Sequence, residues 1–184
     1  MSFTQAMIVG ASGRTAQVTE NNQLMVDTRH EAAFAAQNGL AFSALVDATS
    51  ATTDDDFFGL KNNDTKDLVI YKIVGWFDDA SQEITISLGA TDAGTDLGDV
   101  ITPGNLRVGG GPANVDCVSD ETDLAYTGGV AVDLLKGHTT LLIESVWEYP
   151  SGLILPSGTR MHAAAALAGL INLNVFFYFR TPDA

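Results

Sequence analysis

Residues 68–88 read LVIYKIVGWFDDASQEITISL, and the pattern of this stretch decides the fold class. Residues 68–77 are apolar on both faces except at Lys72, and they are too rich in β-branched and aromatic side chains for a stable helix. In residues 83–88 apolar and polar side chains alternate, which is typical of a half-buried strand. The turn residues 78–81 predict that the two strands form a hairpin.

The same alternation recurs in the C-terminal third of the chain. Residues 139–149 place apolar and aromatic side chains on one face of a strand and glutamates on the other, and Pro-Ser-Gly at 150–152 is expected to end it. Residues 153–155 are then expected to form a short strand. Residues 172–179 alternate at first and become solidly aromatic, which predicts a central strand buried on both faces.

Helical patterns are scarce. Residues 29–37, RHEAAFAAQ, have good helix propensity and are followed by Gly39 as a stop. Residues 161–170 are rich in alanine but lack a polar face and a cap, so we expect a strand or an irregular edge there. Many short strands bounded by turns predict an all-β fold, a jelly-roll-type β-sandwich. The long acidic, glycine-rich connection at residues 89–129 is expected to cross between its sheets.

Composition sets the broad class. The chain has 184 residues, which suits one domain, and 46% of them are hydrophobic while 17% are charged, which excludes a disordered chain. Its 9 basic and 23 acidic residues give a formal net charge of −14. Nucleic acids and anionic membrane surfaces bind basic proteins, so we expect no nucleic-acid partner and no membrane partner.

Targeting signals and cysteine content bear on location. No apolar run reaches the roughly 18 residues of a membrane helix, and the N-terminus lacks the basic start and apolar region of a signal peptide. We therefore expect a soluble protein made in the cytoplasm of the producing cell. Cys117 is the single cysteine, which excludes a disulfide within the chain, and its sequence context predicts a small buried hydrophobic side chain.

The acidic residues are unevenly distributed. Residues 73–135 contain eleven of them against one basic residue, Arg107, which gives this stretch a net charge of −10. The charges of the first thirty residues balance, and the last 48 residues carry a net charge of −1. We expect an acidic, solvated middle and two ends suited to contact with a partner.

Two motifs resemble ligand-binding loops without completing them. Gly10 and Gly13 lack the third glycine and the following helix of a dinucleotide-binding loop, and Arg14 stands where a phosphate-binding loop has lysine. The aspartates at 54–56, like those at 92, 96 and 99, lack the spacing of a calcium-binding loop and are interpreted as solvated turns. We therefore expect no cofactor and no bound metal, with a weakly held ion at a subunit interface as the alternative.

The histidines and tryptophans predict no active site. His30, His138 and His162 have no metal-ligand spacing, and no nucleophile-elbow motif accompanies them, so we expect packing or surface roles and no catalytic residue. Trp76 and Trp147 lie in predicted strands. Anchoring of the core is their expected role, and stacking on a sugar is the alternative.

The order of the sequence elements resembles a known family. Residues 18–29, VTENNQLMVDTR, are followed by NGLAF at 38–42, by GLKNNDTKDLVI at 59–70 and by the ILPSGT turn at 154–159 before the last strand. This order is similar to that of small virion structural proteins of tailed bacteriophages, which join a short N-terminal arm to a jelly-roll domain. The resemblance covers residues 18–179.

The resemblance implies a subunit of a phage particle, commonly a head decoration or cement protein without catalytic residues. We accordingly predict an extended N-terminal arm at residues 1–29 and a jelly-roll domain at 30–184. The protein is expected to be a homo-oligomer, a trimer, that binds the major capsid protein on the virion surface. The predicted contact residues are those that give the arm positive charge and apolar groups: Arg14, Leu24, Val26 and Arg29.

Two other classes of function stay open from the sequence. One is a tail or fibre module that binds a host glycan through exposed aromatic side chains. The other is a jelly-roll metal enzyme, which needs two or three histidines on neighbouring strands around an open metal position.

Overall fold

The structure is a computed structural model of the chain, and it describes residues 7–9, 15–18, 24–26, 31–50, 55–79, 81–92, 98–120, 124–136 and 144–181. Within these ranges the chain forms one helix and sixteen strands. The helix is α1 (Glu31–Gln37), and the strands are β1 (Met7–Val9), β2 (Thr15–Val18), β3 (Leu24–Val26), β4 (Ala41–Ser50), β5 (Asp55–Asn62), β6 (Asp67–Phe77), β7 (Glu83–Leu88), β8 (Thr91–Asp92), β9 (Asp99–Val100), β10 (Gly104–Asn105), β11 (Val115–Ser119), β12 (Tyr126–Thr127), β13 (Val130–Lys136), β14 (Ser145–Leu155), β15 (Arg160–Ala165) and β16 (Gly169–Arg180).

The long strands pair in nested order across two antiparallel sheets. A five-stranded sheet has the order β10-β4-β16-β6-β14, and a six-stranded sheet has the order β13-β7-β15-β5-β11-β9. The first long strand, β4, pairs with the last, β16, and β5 pairs with β15, β6 with β14, and β7 with β13. This nesting is a long antiparallel hairpin wrapped into two sheets, which is the jelly-roll arrangement. The expected all-β, jelly-roll-type sandwich is confirmed.

The core lies between the two sheets. The buried side chains alternate with outward-facing ones along β7 and along most of β16, as expected for strands with one face on a core. At the end of β16 three consecutive aromatic residues, Phe177, Tyr178 and Phe179, are all buried, which confirms a central strand covered on both faces. The largest fully buried side chains include Phe57, Phe58, Leu60, Ile70, Ile73, Ile84, Ile86 and Phe177.

The predicted hairpin of β6 and β7 is wrong, although both strands form where expected. β6 lies between β16 and β14 in the five-stranded sheet, whereas β7 lies between β15 and β13 in the six-stranded sheet. The turn at residues 78–82 therefore carries the chain across the sandwich. Gln82, which is buried, fixes this turn by donating from Nε2 to the Leu167 carbonyl at 2.6 Å and accepting the Leu167 N–H at 2.9 Å.

The connection at residues 89–129 crosses between the sheets as expected. Its strands β9 and β11 lie in the six-stranded sheet, where β11 pairs with β5, and its strand β10 pairs with β4 in the five-stranded sheet. The chain then returns to the six-stranded sheet, where β13 pairs with β7. We call residues 89–129 the insertion.

The Pro-Ser-Gly sequence at residues 150–152 does not end a strand as predicted. β14 runs through it, with a shift of pairing register between Glu148 and Leu153. β14 is an edge strand, and an edge position with a bulge is where a strand tolerates the missing N–H of Pro150. The segment predicted as two strands is therefore one strand with an irregularity.

The predicted helix forms at α1 and packs on the five-stranded sheet. Asn38 and Gly39 end it: Nδ2 of Asn38 donates to the Phe34 carbonyl at 2.9 Å, and Gly39 has φ +70°, a conformation that favours glycine. Ala32 and Ala35 are buried against Tyr178, whose hydroxyl donates to Glu31 Oε2 at 2.9 Å. Burial and this hydrogen bond raise the pKa of Tyr178 to about 12.

The segment predicted as an N-terminal arm contains β1, β2 and β3, which pair with one another as a small antiparallel sheet. This sheet is separate in pairing from the two large sheets. The division into an arm at 1–29 and a domain at 30–184 stays a prediction. No helix in the described part of the chain has the length and hydropathy to span a lipid bilayer.

Candidate functional site

The outward face of the five-stranded sheet carries a row of neighbouring side chains from its four long strands. In register these are Leu45 on β4, Asn174 on β16, Val74 on β6 and Val146 on β14. Leu45 is 64% exposed and Val146 is 52% exposed, although both are apolar. The row is therefore largely apolar and open to solvent at its two ends.

Two further rows continue this surface. Towards helix α1, Lys72 on β6 lies next to Phe176, with Nζ 5.7 Å from the ring centroid, and next to Glu148. Away from the helix, Trp76 lies next to Asn172. We call the surface formed by these three rows the outer face; its residues are Ser43, Leu45, Asp47, Lys72, Val74, Trp76, Val146, Glu148, Asn172, Asn174 and Phe176.

The outer face is nearly uncharged on a strongly acidic chain. Its charged residues are Asp47, Lys72 and Glu148, which give a net charge of −1. The whole chain has a net charge of −14. A surface of this kind allows contact with a partner without the like-charge repulsion that the acidic regions create.

Asn174 is the polar residue in the row that also contains Leu45, Val74 and Val146. Its Oδ1 is buried and accepts no hydrogen bond from the described residues. An unsatisfied buried oxygen costs about 1–3 kcal/mol. This cost would be removed if a bound partner displaced the neighbouring side chains and donated a hydrogen bond to Asn174 Oδ1.

A second polar cluster lies on the outward side of the six-stranded sheet, beneath the insertion. Nδ1 of His162 on β15 lies 2.6 Å from Asp56 Oδ1, and both side chains are about nine-tenths buried. Asp56 Oδ2 accepts the backbone N–H of Tyr126 at 2.9 Å, and the Tyr126 ring packs edge-on against the imidazole at 5.5 Å between centroids. Asp56 thus joins the sheet to the insertion.

Close packing around Tyr126 completes this contact. A Cβ at position 59 would collide with the Tyr126 hydroxyl, so Gly59 provides the space that the ring occupies. The Arg160 guanidinium lies over the Tyr126 ring, 4.7 Å from its centroid. The cluster of Asp56, Tyr126, Arg160 and His162 holds the insertion on the sheet.

The same cluster lacks the contacts of a nucleophilic site. Ser87 on β7 is the register partner of His162, but Nε2 of His162 is buried and has no hydrogen-bond partner among the described residues. A Ser–His–Asp site joins that nitrogen to the serine hydroxyl. The Asp56–His162 pair is therefore interpreted as structural, and the sequence analysis missed it because residues 56 and 162 are far apart along the chain.

Two sequence motifs that carry the resemblance meet at one end of the sandwich. Asn62, fully buried in the first motif, donates from Nδ2 to the Leu155 carbonyl at 2.8 Å and to the Lys66 carbonyl at 2.8 Å. In return, the Asn62 carbonyl accepts the N–H of Gly158 in the second motif at 2.8 Å. These motifs therefore have a structural role, in which one asparagine ties two turns together.

Two of the four predicted contact residues of the arm lie outside the residues that the structure describes. Arg14 and Arg29 are outside the described residues, and the structure places only the backbone of Leu24 and Val26, on β3. The contact site predicted for the arm therefore stays a prediction. The sequence does contain a signal for the exposed Leu45. Buried and exposed residues alternate along β4, and this alternation puts Leu45 on the solvent side with Ser43.

The interpretation of the aspartates at 54–56 as a solvated turn is wrong for two of them. Asp55 and Asp56 are 2% and 7% exposed and lie in strand β5, and Asp54 is outside the described residues. Asp99 is exposed as expected. Among the described residues, no three histidine, cysteine, aspartate or glutamate side chains form a group that could hold a metal ion.

The tryptophans lie in strands as predicted, and they have different surroundings. Trp147 packs against Phe77 at the edge of the core, with ring centroids 6.0 Å apart. Trp76 is half-buried on the outer face. His30 and His138 lie outside the described residues. No protein-family model matches the chain, and no curated protein matches it significantly.

Cys117 is buried as predicted, and this has a testable consequence. It is 1% exposed on β11, and burial raises the pKa of its thiol to about 12. Because the thiolate is the reactive form, we expect native protein at pH 8 to show no appreciable reaction with a thiol reagent within an hour, and unfolded protein to react with one equivalent. Absorbance of the released chromophore measures this; one equivalent of fast reaction in native protein would contradict the buried placement.

Proposed function

We propose that this chain is a virion structural protein of a tailed bacteriophage, a decoration or cement protein that binds the head shell and stabilises it. The outer face of the five-stranded sheet contacts the major capsid protein, and the acidic insertion faces solvent. The jelly roll and the two structural motifs joined through Asn62 support this class of function. No catalytic residue and no cofactor belong to the proposal.

The observation that carries the proposal is a nearly uncharged sheet face, with Leu45 and Val146 as exposed apolar residues, on a chain of net charge −14. Burying the exposed part of Leu45 contributes about 1–2 kcal/mol per copy, estimated from the value of a fully buried leucine. A single contact of this size gives only weak binding. A shell presents many equivalent sites, and linked copies of a homo-oligomer bind through several of them at once.

The other two classes of function have less support. A glycan-binding module needs open aromatic platforms, and Trp147 is instead packed against Phe77. A jelly-roll metal enzyme needs several ligands at one open position. His162 is instead about 2.6 Å from Asp56 and packs against the Tyr126 ring.

Adding the purified chain back to heads that lack it tests the proposed function. Heads are prepared from a phage that encodes this chain, with its gene deleted. We expect saturable binding to the heads, a fixed number of copies per head, and a higher temperature of head rupture after binding. Binding to isolated tails but not to heads, or no binding to either, would contradict a head decoration role.

The predicted arm gives a separate test. Deleting residues 1–29, which include Arg14, Leu24, Val26 and Arg29, is expected to reduce occupancy on heads at least tenfold, because the arm would add contact area to that of the sandwich. Quantitative gel analysis of sedimented heads measures occupancy. Circular dichroism should show that the truncated chain keeps its β-sandwich. Unchanged occupancy would remove the arm from the contact surface while leaving the outer face untested.

A further inference from the structure

Three of the four outer edges of the two large sheets have features that hinder the pairing of another strand. The register of β13 shifts between Ala131 and Asp133. β14 contains Pro150 within a register shift of its own. The edge strand β9 is two residues long. Bulges, prolines and very short strands are means by which natural proteins protect the edges of their sheets.

The fourth edge lacks such features along most of strand β4. Its edge strand, β10, is two residues long and pairs with β4 only at Phe42 and Ser43. Residues 44–50 continue β4 with unbroken pairing to β16, and no strand of the described chain pairs with their other side. These residues include no proline, glycine or lysine, and Asp47 is their single charged residue. A long, regular strand of this kind is a template to which another strand adds.

The direction of the backbone groups of β4 follows from a hydrogen bond at its start. The Ala41 carbonyl accepts the Leu106 N–H at 2.9 Å, on the side of β10. In an antiparallel strand both backbone groups of a residue point to the same side, and the side alternates from one residue to the next. Leu45, Asp47 and Thr49 therefore direct their N–H and C=O groups to the open side. A strand that adds there would find hydrogen-bond partners at all three residues.

The open edge of β4 borders the outer face. The side chains of Leu45 and Asp47 belong to the outer face and are exposed, whereas those of Ala44 and Val46 are buried in the core. An added strand would extend the outer face, with its own outward side chains beside Leu45 and Asp47. An apolar side chain beside Leu45 and a basic one beside Asp47 would complement this edge.

We propose that an extended segment of the major capsid protein adds to the open edge of β4 as a further strand of the five-stranded sheet. This inference rests on the proposed function and specifies how the outer face is recognised. Backbone hydrogen bonds supply binding in complexes of this type, and the alternate side chains supply specificity. The net charge of −14 favours an uncharged or basic segment over an acidic one.

A second copy of this chain suits the same edge less well. If two copies of β4 paired antiparallel about the centre of residues 45–49, their Asp47 side chains would lie directly opposite each other. Like charges in that position destabilise a strand pair, and each copy has a net charge of −14. Self-association through β4 is therefore an outcome that contradicts the proposal.

A proline at position 47 tests the backbone contact. Asp47→Pro removes the N–H that points to the open side, and an edge position tolerates proline within the sheet. Asp47→Ala is the matched control, because it removes the same carboxylate and keeps the N–H. Thr49→Pro makes the same test two residues further on. It decides the question if Asp47→Pro loses the circular dichroism of the unchanged protein.

Co-sedimentation with gene-deleted heads measures the effect. We expect Asp47→Ala to bind within about threefold of the unchanged protein, and Asp47→Pro to bind at least tenfold more weakly than Asp47→Ala. Equal binding by the two variants would overturn the strand addition and leave head binding intact. No binding by the unchanged protein would contradict the proposed function and this inference together. A dimer without heads that Asp47→Pro dissociates would assign the edge to a second copy and overturn the inference.

Hydrogen exchange of the full chain gives a second readout that does not depend on a variant. In the free chain we expect the amides of Leu45, Asp47 and Thr49 to exchange faster than those of Ala44 and Val46, which point to β16. On heads, peptides that cover residues 41–50 should gain protection at about three amides. The same exchange of these peptides in the free and the head-bound chain would overturn the inference.

Discussion

The Leu45→Glu variant is expected to bind phage heads at least tenfold more weakly than the unchanged protein. Leu45 is 64% exposed at one end of the central row of the outer face, beside Asn174 on β16, which separates it from Val74. A glutamate there would lose the apolar contact and place an unpaired charge in a desolvated interface, which costs several kcal/mol in comparable contacts. Binding to gene-deleted heads, measured by co-sedimentation over a range of concentrations, gives the ratio of the two affinities.

Val108→Glu is the control for this substitution. It makes the same charge change at an apolar residue that is fully exposed on the insertion. We expect its affinity for heads to stay within about twofold of the unchanged protein, because the insertion faces solvent in the proposed arrangement. Equal affinities for Leu45→Glu and the unchanged protein would contradict the outer face as the contact surface, and a loss confined to Val108→Glu would place the contact on the insertion.

The His162→Ala variant is expected to lower the free energy of unfolding by about 3 kcal/mol at pH 7. The His162–Asp56 contact is 2.6 Å long and about nine-tenths buried, and removing the imidazole takes away the partner of Asp56 Oδ1, while Oδ2 still accepts the Tyr126 N–H. Breaking a buried pair costs roughly 3–5 kcal/mol. For a domain of this size the loss lowers Tm by about 6–12 °C. Urea unfolding followed by circular dichroism measures it.

The exposed ion pair of Lys136 and Glu83 is the control for the buried contact between Asp56 and His162. Its atoms are 2.7 Å apart, nearly the same distance, but the Lys136 side chain is 65% exposed. Lys136→Ala is expected to change the free energy of unfolding by less than about 0.5–1 kcal/mol, because solvent screens exposed pairs. If His162→Ala and Lys136→Ala lowered the free energy of unfolding by similar amounts, burial would not be the reason that the Asp56–His162 contact stabilises the fold.

Local sequence patterns predicted the elements better than their partners. The alternation in residues 83–88 predicted strand β7, and the aromatic run ending at Phe179 predicted a central strand. The pairing of β6 with β7 was predicted wrongly, because a short polar turn between two strands suits a hairpin and a crossing between sheets equally well. Strand partners depend on contacts distant in sequence, which periodicity does not contain.

Bulges and buried polar residues were the least predictable features. Pro150 signals the end of a strand, yet an edge position lets β14 continue past it. Asp56 looked like part of a polar turn, because its partners His162 and Tyr126 lie 106 and 70 residues away. The alternation of residues 41–47, which the sequence analysis did not use, puts Leu45 on the outer face, whereas its neighbours Val74 and Val146 follow only from the register of three strands.

A cryo-electron microscopy map of heads that carry this chain tests the central claim most directly. The account predicts jelly-roll density on the outside of the shell, with the sheet that contains Leu45 and Phe176 against the coat and the insertion pointing to solvent. Density seated through the insertion, or none on the head while the chain is present elsewhere in the particle, would contradict it.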